Sequence, residues 1–218
     1  MVGARRIAPL ALSCLAFGVA FGVLARQTGL SPAEALLMSG LVLAGASQFV
    51  ALELWAAPVP ALPILLATLA VNARHLLMGA ALRPWFAGLP AWQAYGALFF
   101  LSDGNWALTV RECEAGRRDG GFLLGGGLAL AAAWIGGTAA GHALGEGLQD
   151  PGRWGLDFML TAFFTALLVG KWRGKADVVP WAAAASAAVI AAQWLPAHWY
   201  ILVGGLAGSL VGALHDGA

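Results

Sequence analysis

The chain has 218 residues, of which 60% are hydrophobic and 11% charged, and its formal net charge is +1. Because a soluble domain carries about 25% charged residues, this composition excludes an ordinary soluble enzyme and indicates an integral membrane protein. The near-zero charge and the lack of a basic tract argue against nucleic acid as a partner. The two cysteines predict no disulfide, since Cys14 falls within a span and Cys113 at a cytoplasmic span end.

Apolar segments near the ~20 residues that cross a bilayer follow one another along the chain. Breaks divide them into about eight predicted spans, at residues 8–25, 33–54, 60–80, 91–110, 121–145, 156–171, 178–194 and 198–214. The predicted fold is all-α, a single polytopic transmembrane helical bundle over residues 1–218, with about seven spans if one segment is re-entrant. Lys and Arg concentrate before the first span, at 111–118 and at 171–175, which predicts that both termini are cytoplasmic.

Two features predict how the spans are arranged. Gly29-Leu30-Ser31 joins the first and second spans, and Gly155-Leu156-Asp157 stands in the same relation to the fifth and sixth. The match predicts an internal repeat of two parallel halves with a site between them. Gly137, Gly141 and Gly145 recur at every fourth residue of the fifth span, a spacing that predicts close packing against another helix.

Polar residues interrupt the second and third spans. In the second, Ala44-Gly45-Ala46-Ser47-Gln48-Phe49 contains a hydroxyl and an amide that open the helix, bond a substrate or bond a neighbouring helix. In the third, Asn72, Arg74 and His75 stand in an apolar stretch, where an ionisable group costs at least ~2.5–3.5 kcal/mol. Arg74 must therefore face a protein-lined cavity, a partner or the headgroup region.

Asp103, within Asp103-Gly104-Asn105-Trp106, is the acidic residue of the fourth span. A buried carboxylate normally pairs with a cation, and we predict an ion pair between Arg74 and Asp103. Such a pair either holds helices together or, if the carboxylate takes up a proton, couples transport to a proton gradient. His75 is the second candidate for proton coupling, against a role in packing or hydrogen bonding.

Several motifs together resemble the AzlC family: Phe17-Gly18-x-x-Phe21-Gly22, Gly29-Leu30-Ser31, Leu37-Met38-Ser39, Ala44-Gly45-Ala46-Ser47-Gln48-Phe49 and Asn72-Ala73-Arg74-His75-Leu76-Leu77-Met78-Gly79. Its members are large subunits of bacterial branched-chain amino acid exporters. The resemblance implies a multi-pass permease of the bacterial cytoplasmic (inner) membrane, coupled to an ion gradient, that works with a small AzlD-type membrane subunit. Many members carry a second acid directly after the aspartate, where this chain has Gly104 and Asn105. Asp103 alone would therefore serve in coupling.

A branched-chain amino acid needs an apolar pocket for its side chain and polar partners for its charged ends. Arg74 suits the carboxylate because a guanidinium binds it bidentately, and Asp103 suits the ammonium. The predicted site is completed by residues that wall the apolar pocket, Phe17, Phe21 and Phe49, and by residues that hydrogen-bond the polar ends, Ser47, Gln48, Asn72 and Asn105.

Two other functions compete with transport. Ser47 and His142, in Gly45-x-Ser47 and Ala140-Gly141-His142-x-x-Gly145, resemble the dyad of an intramembrane serine protease, but Gln48 stands where such proteases carry a glycine. A channel or a non-transporting scaffold subunit would show the same small-residue faces and ion pair. The four histidines lack zinc-ligand spacing and there is no H-E-x-x-H motif, so neither a metal nor a cofactor is predicted.

Overall fold

The computed structural model describes residues 2–86, 89–116, 120–147, 155, 158–170, 172, 174–195 and 199–216. Over these residues all regular secondary structure is helical, without a strand, which confirms the all-α prediction. The helices are α1 (Val2–Gln27), α2 (Pro32–Val42), α3 (Gly45–Glu53), α4 (Ala61–Asn72), α5 (Arg74–Ala81), α6 (Arg83–Phe86), α7 (Ala91–Phe99), α8 (Asp103–Glu114), α9 (Gly120–Leu144), α10 (Met159–Gly170), α11 (Val178–Trp194) and α12 (Trp199–Asp216).

Four helical segments of the described chain are long and apolar enough to cross a membrane. They are Arg6–Gln27, Ala61–Ala81, Gly121–Gly147 and Lys175–Trp194, while α2 and α12 are apolar but shorter. The predicted second and fourth spans are each divided into two helices, α2 with α3 and α7 with α8. The membrane assignment is confirmed, and the number of crossings stays a prediction.

Contacts divide the chain into two compact units. Unit 1 comprises Met1–Leu52 and Asn72–Pro151, and unit 2 comprises Glu53–Val71 and Gly152–Ala218. These units do not coincide with the two predicted sequence halves, because unit 1 draws residues from both. Leu156 and Asp157 of the second turn motif lie outside the described residues, so the internal repeat stays a prediction.

In unit 1, α1 and α9 run parallel and touch through their glycines. A Cβ added to Gly18 would lie 2.6 Å from the Trp134 carbonyl oxygen, and one added to Gly22 would lie 2.6 Å from the His142 nitrogen. On α9, a Cβ at Gly137 or Gly141 would overlap the backbone of α1. The two backbones therefore meet without intervening side chains, which confirms the predicted packing of the glycine face.

A tight turn leads from α1 into α2. Gly29 has a φ of +87°, a backbone conformation that favours glycine. Ser31 then caps α2: its hydroxyl accepts a hydrogen bond from the Glu34 nitrogen at 3.3 Å, while Glu34 Oε2 accepts one from the Ser31 nitrogen at 2.8 Å. The turn places α2 in contact with α9.

Two ion pairs lie at opposite ends of unit 1. Arg6, near the start of α1, pairs with Glu112 near the end of α8. Arg26, near the end of α1, lies 3.4 Å from Glu146 just after α9. The first pair joins segments predicted to share the cytoplasmic side, and the second joins segments predicted to share the other side. These relative positions are confirmed, while the absolute orientation stays a prediction.

In unit 2, α11 and α12 pack through small residues. A Cβ added to Gly204 would lie 2.9 Å from the Ala188 Cβ, and one added to Gly208 would lie 2.8 Å from the Ala184 Cβ. The two helices thus approach each other closely, as small residues allow between membrane helices.

Candidate functional site

The first helix break separates α2 from α3. Leu43 has φ 48° and ψ 28°, a left-handed conformation that costs a non-glycine residue roughly 1–3 kcal/mol. Ser47 Oγ donates a hydrogen bond to the Ala44 carbonyl at 2.9 Å and so supports the first turn of α3. The prediction that this segment opens the helix is confirmed at the two residues before Gly45.

The second break separates α7 from α8, so the predicted fourth span over 91–110 consists of two helices. Ser102 caps α8 by accepting a hydrogen bond from the Asn105 nitrogen at 3.4 Å. Asn105 Nδ2 in turn donates to the carbonyls of Leu123 at 2.8 Å and Phe100 at 3.5 Å, which ties the break to α9. The signal missed in the sequence is an N-cap serine directly followed by an acid, Asp103.

A cavity of about 230 Å³, here called the polar cavity, lies where the two breaks meet the start of α5. Irregular backbone is tolerated at membrane depth only where it is buried in protein or lines a cavity. The cavity walls include residues from both breaks and from the start of α5, all within unit 1: Leu43, Ala44, Asn72, His75, Phe99 and Leu101.

The predicted ion pair is present, with Arg74 Nη1 3.1 Å from Asp103 Oδ2. Each residue begins a helix, Arg74 in α5 and Asp103 in α8. The two side chains are 32% and 40% exposed, so the pair is open to a ligand. Arg74 Nε is buried without a hydrogen-bond partner, which leaves the guanidinium an N–H for a further acceptor.

Asn72 connects the polar cavity to α3. Its Nδ2 donates a hydrogen bond to Ser47 Oγ at 3.1 Å, and its backbone carbonyl lies 3.1 Å from His75 Nδ1. Asn72 Oδ1 is buried without a partner. The structure therefore brings Ser47, Asn72 and His75 together at the cavity.

Gln48 and Asn105 point their polar groups elsewhere. Gln48 Nε2 donates to Ser39 Oγ at 3.4 Å, and Ser39 Oγ lies 2.8 Å from Thr138 Oγ1, which forms a buried polar chain between α2, α3 and α9. Asn105 is fully buried against α9. Neither residue lines the polar cavity, and their contact with substrate stays a prediction.

The predicted aromatic wall lies in the packed core. Phe21 and Phe49 are fully buried, and their ring centroids lie 5.7 and 6.2 Å from that of Trp134. Neither of these phenylalanines nor Phe17 lines the polar cavity. Trp134 was not predicted as part of this cluster, because only the packing of α9 against α1 and α3 brings its ring there.

The residues of the protease alternative are bonded to other groups. Ser47 Oγ bonds Ala44 and Asn72, whereas the His142 ring nitrogen lies 2.9 Å from the Leu30 carbonyl. His142 thus joins α9 to the turn after α1. Among the described residues, no three His, Cys, Asp or Glu side chains cluster closely enough to hold a metal ion.

The second break gives a stability prediction. Replacing Asn105 by Leu removes the buried hydrogen bond from its amide to the Leu123 carbonyl, which costs about 0.5–1.5 kcal/mol and lowers the melting temperature of the detergent-solubilised protein by roughly 1–6 °C. The matched control is Thr109→Val, one turn further along α8, because the buried Thr109 hydroxyl has no partner to lose. Equal melting temperatures for the two variants would contradict a supporting role for Asn105.

The chain was compared with known proteins. Residues 9–148 match the family described as "AzlC protein". An "Uncharacterized membrane protein" of Archaeoglobus fulgidus is 33% identical over 77% of this chain and 73% of its own length. The "Branched-chain amino acid transport protein AzlC" of Bacillus subtilis is 27% identical over 75% of this chain and 64% of its own length.

A further relative, "Inner membrane protein YgaZ" of Escherichia coli, is 29% identical over 80% of this chain and 74% of its own length. No solved structure matches the chain. The matched region contains both helix breaks, the ion pair and the paired glycine helices. The chain is therefore an integral membrane protein of the AzlC family.

Proposed function

We propose that this chain is a carrier that moves branched-chain amino acids, such as valine, leucine or isoleucine, across the cytoplasmic membrane. Family membership supports the proposal, together with the name of the B. subtilis relative, a branched-chain amino acid transport protein. The observation that carries it is the partly exposed Arg74–Asp103 pair, whose residues adjoin the lining of the polar cavity in the sequence.

An amino acid at neutral pH carries one negative and one positive group, the same charges as the Arg74–Asp103 pair. When the substrate binds, its carboxylate takes the place of Asp103 beside Arg74, and its ammonium takes the place of Arg74 beside Asp103. Each charge keeps an opposite charge throughout, which limits the desolvation cost. The unpartnered Arg74 Nε–H and Asn72 Oδ1 supply a further donor and acceptor.

The first helix break favours the same orientation of the substrate. α3 begins at Gly45, directly after Ala44 in the lining of the polar cavity, and the N-terminus of a helix carries a partial positive charge. In transporters built from discontinuous helices, such ends face the anionic group of the substrate. Here the N-terminus of α3 would attract the carboxylate, as Arg74 does.

The remaining parts of the proposal concern direction, coupling and assembly. We propose export, in a complex with a small AzlD-type membrane subunit, as the family resemblance implies. For coupling to protons, Asp103 is the first candidate: a proton on its carboxylate would release Arg74 to the substrate. His75, which lines the polar cavity, is the second candidate.

Radiolabelled leucine counterflow in proteoliposomes tests the proposal. The purified chain is reconstituted with and without a candidate small subunit, and we expect saturable uptake that valine and isoleucine inhibit. Asp103→Asn should lose this uptake, whereas Glu146→Gln should keep it, because Glu146 is 73% exposed in its side chain and lies at the other end of α9.

A difference in leucine uptake between proteoliposomes with and without the small subunit would identify the role of that subunit. Flux that appears only with the small subunit means that the carrier is the complex. Linear, unsaturable flux would indicate a channel, and no flux in either preparation would contradict the proposal and favour a scaffold subunit or another substrate.

A further inference from the structure

A second cavity, here called the apolar chamber, lies on the α9 side of the helix breaks. Its volume is about 140 Å³. Its lining includes Cys14 from α1, Leu43 and Phe100 from the breaks, and Leu130, Ala131 and Trp134 from α9. None of the described residues lining it is charged, and the Cys14 thiol lies 3.5 Å from the Leu130 carbonyl, which can accept its hydrogen bond.

The apolar chamber shares its partition with the polar cavity. Leu43 lines both. At the second break, consecutive residues face alternate sides: Phe100 lines the chamber, whereas Phe99 and Leu101 line the polar cavity. The two helix breaks therefore contribute to both spaces: the lining of the polar cavity includes Asn72 and His75, and Ser102 is the one polar side chain besides the Cys14 thiol and the Trp134 indole among the described residues that line the apolar chamber.

The partition is built from backbone that can rearrange. A break interrupts the i→i−4 hydrogen bonds that hold a helix rigid, and Leu43 already occupies a left-handed conformation. A change of the Leu43 backbone to an ordinary conformation releases strain and moves the side chain that closes the wall. One substrate molecule can then occupy both spaces, with its α-carbon at the partition.

The size of the apolar chamber fits an aliphatic side chain. An apolar cavity of about 150 Å³ accommodates a molecule the size of benzene, and leucine or isoleucine has a four-carbon side chain. Two glycines keep the space open. A Cβ on Gly45 would lie 2.8 Å from the Trp134 ring, and one on Gly127 would lie 2.7 Å from the Phe100 carbonyl.

We propose that the apolar chamber binds the branched side chain of the amino acid whose charged groups lie at the Arg74–Asp103 pair, and that it sets substrate selectivity. This inference rests on the proposed function. Each methylene buried there raises affinity roughly four-fold. Leucine has three more side-chain carbons than alanine and should bind about sixty-fold more tightly.

The first test fills the chamber from α9. Ala131→Leu adds bulk to its wall, so the dissociation constant of leucine should rise by about ten-fold or more while that of alanine changes by less than roughly three-fold. The matched control is Ala132→Leu, the same substitution on the next residue, which is exposed rather than buried. It should leave both constants unchanged.

The second test probes the native Cys14, so it does not require a substitution in the wall of the chamber. Cys14 and Cys113 are both free. In a Cys113→Ser background, leucine should slow the reaction of Cys14 with methyl methanethiosulfonate, followed by mass spectrometry, whereas glycine should not. Equal labelling with and without leucine contradicts a side-chain chamber at Cys14.

The outcomes separate this inference from the proposed function. If the unmodified protein binds no branched-chain amino acid, the proposed function fails first. If it binds leucine but Ala131→Leu behaves like Ala132→Leu, the carrier function stands and the apolar chamber does not determine selectivity. A loss of leucine preference at Ala131→Leu alone, with Cys14 protected by leucine, supports the proposal.

Discussion

Replacing either Arg74 or Asp103 by alanine should reduce amino acid transport by roughly ten-fold to a hundred-fold. Each substitution removes the group that would pair with one charged end of the substrate, and a hydrogen bond to a charged group contributes about 1.5–3 kcal/mol. Each substitution also breaks the Arg74–Asp103 ion pair. Because both side chains are about one-third exposed, the loss of folding stability should be smaller, about 1 kcal/mol. Leucine counterflow and thermal melting of the same preparations measure the two effects separately.

Reversing the pair separates a structural role from a binding role. Arg74→Asp combined with Asp103→Arg restores one positive and one negative charge at the same two positions. We expect the double variant to recover most of the melting temperature but not the transport, since it places an arginine at the N-terminus of α8, where a cation is disfavoured. Recovery of full transport would mean that the pair only holds α5 and α8 together.

The Arg26–Glu146 ion pair, between α1 and the segment just after α9, provides the matched control. Arg26 and Glu146 form an ion pair whose side chains are 33% and 73% exposed, and such exposed pairs contribute about 0–1 kcal/mol. Arg26→Gln and Glu146→Gln should therefore leave transport within about two-fold of the unmodified protein. A hundred-fold loss in these variants would show that any charge change disrupts transport, which would remove the specific claim for Arg74 and Asp103.

Replacing Gly141 by alanine should strongly destabilise the folded protein. A Cβ at this position would overlap the Val19 carbonyl, which is backbone and cannot rotate away. Separating two packed helices to admit it opens voids along the whole contact, and the cost should exceed about 3 kcal/mol. We expect little monodisperse protein after detergent extraction and a melting temperature lower by roughly 6–12 °C or more.

Gly136→Ala is the control, because the same substitution should raise the melting temperature there instead of lowering it. A Cβ at Gly136 meets nothing within 4 Å, and alanine in a helix interior is favoured over glycine by roughly 0.5–1 kcal/mol. The two variants differ only in which face of α9 carries the methyl group. Similar melting temperatures for both would contradict direct backbone contact between α1 and α9.

The sequence predicts features that depend on local spacing or on rare residues. The glycine repeat on α9 predicts a packing face because the spacing alone defines it. The Arg74–Asp103 pair follows from the scarcity of charge within the spans, which leaves few possible partners. The opening before α3 is signalled by Ala44 and Gly45 next to polar residues.

Other features depend on the tertiary fold and are not visible in a single sequence. The break before α8 has a local signal in Ser102 and Asp103, but the contact that stabilises it, from the Asn105 amide to the Leu123 carbonyl of α9, is set by the tertiary fold. Whether Phe21 and Phe49 face a substrate or a core depends on where Trp134 lies. The apolar chamber likewise exists only because α9 passes behind both breaks.

Because the backbones of α1 and α9 are in direct contact, we expect different parts of unit 1 to have different roles in transport. Helices that touch through Gly18, Gly22 and Gly141 cannot slide past each other without steric overlap, so we expect this pair to keep its geometry throughout the proposed transport cycle. Cys14 and Ala131 belong to this pair, whereas Leu43 and Phe100 belong to the interrupted segments. If the apolar chamber sets selectivity as proposed, the choice of substrate should depend on the helix pair, and its admission and release should depend on the interrupted segments. Substitutions in the pair should then alter the choice of amino acid without altering the speed of the cycle, and substitutions at the breaks should do the reverse.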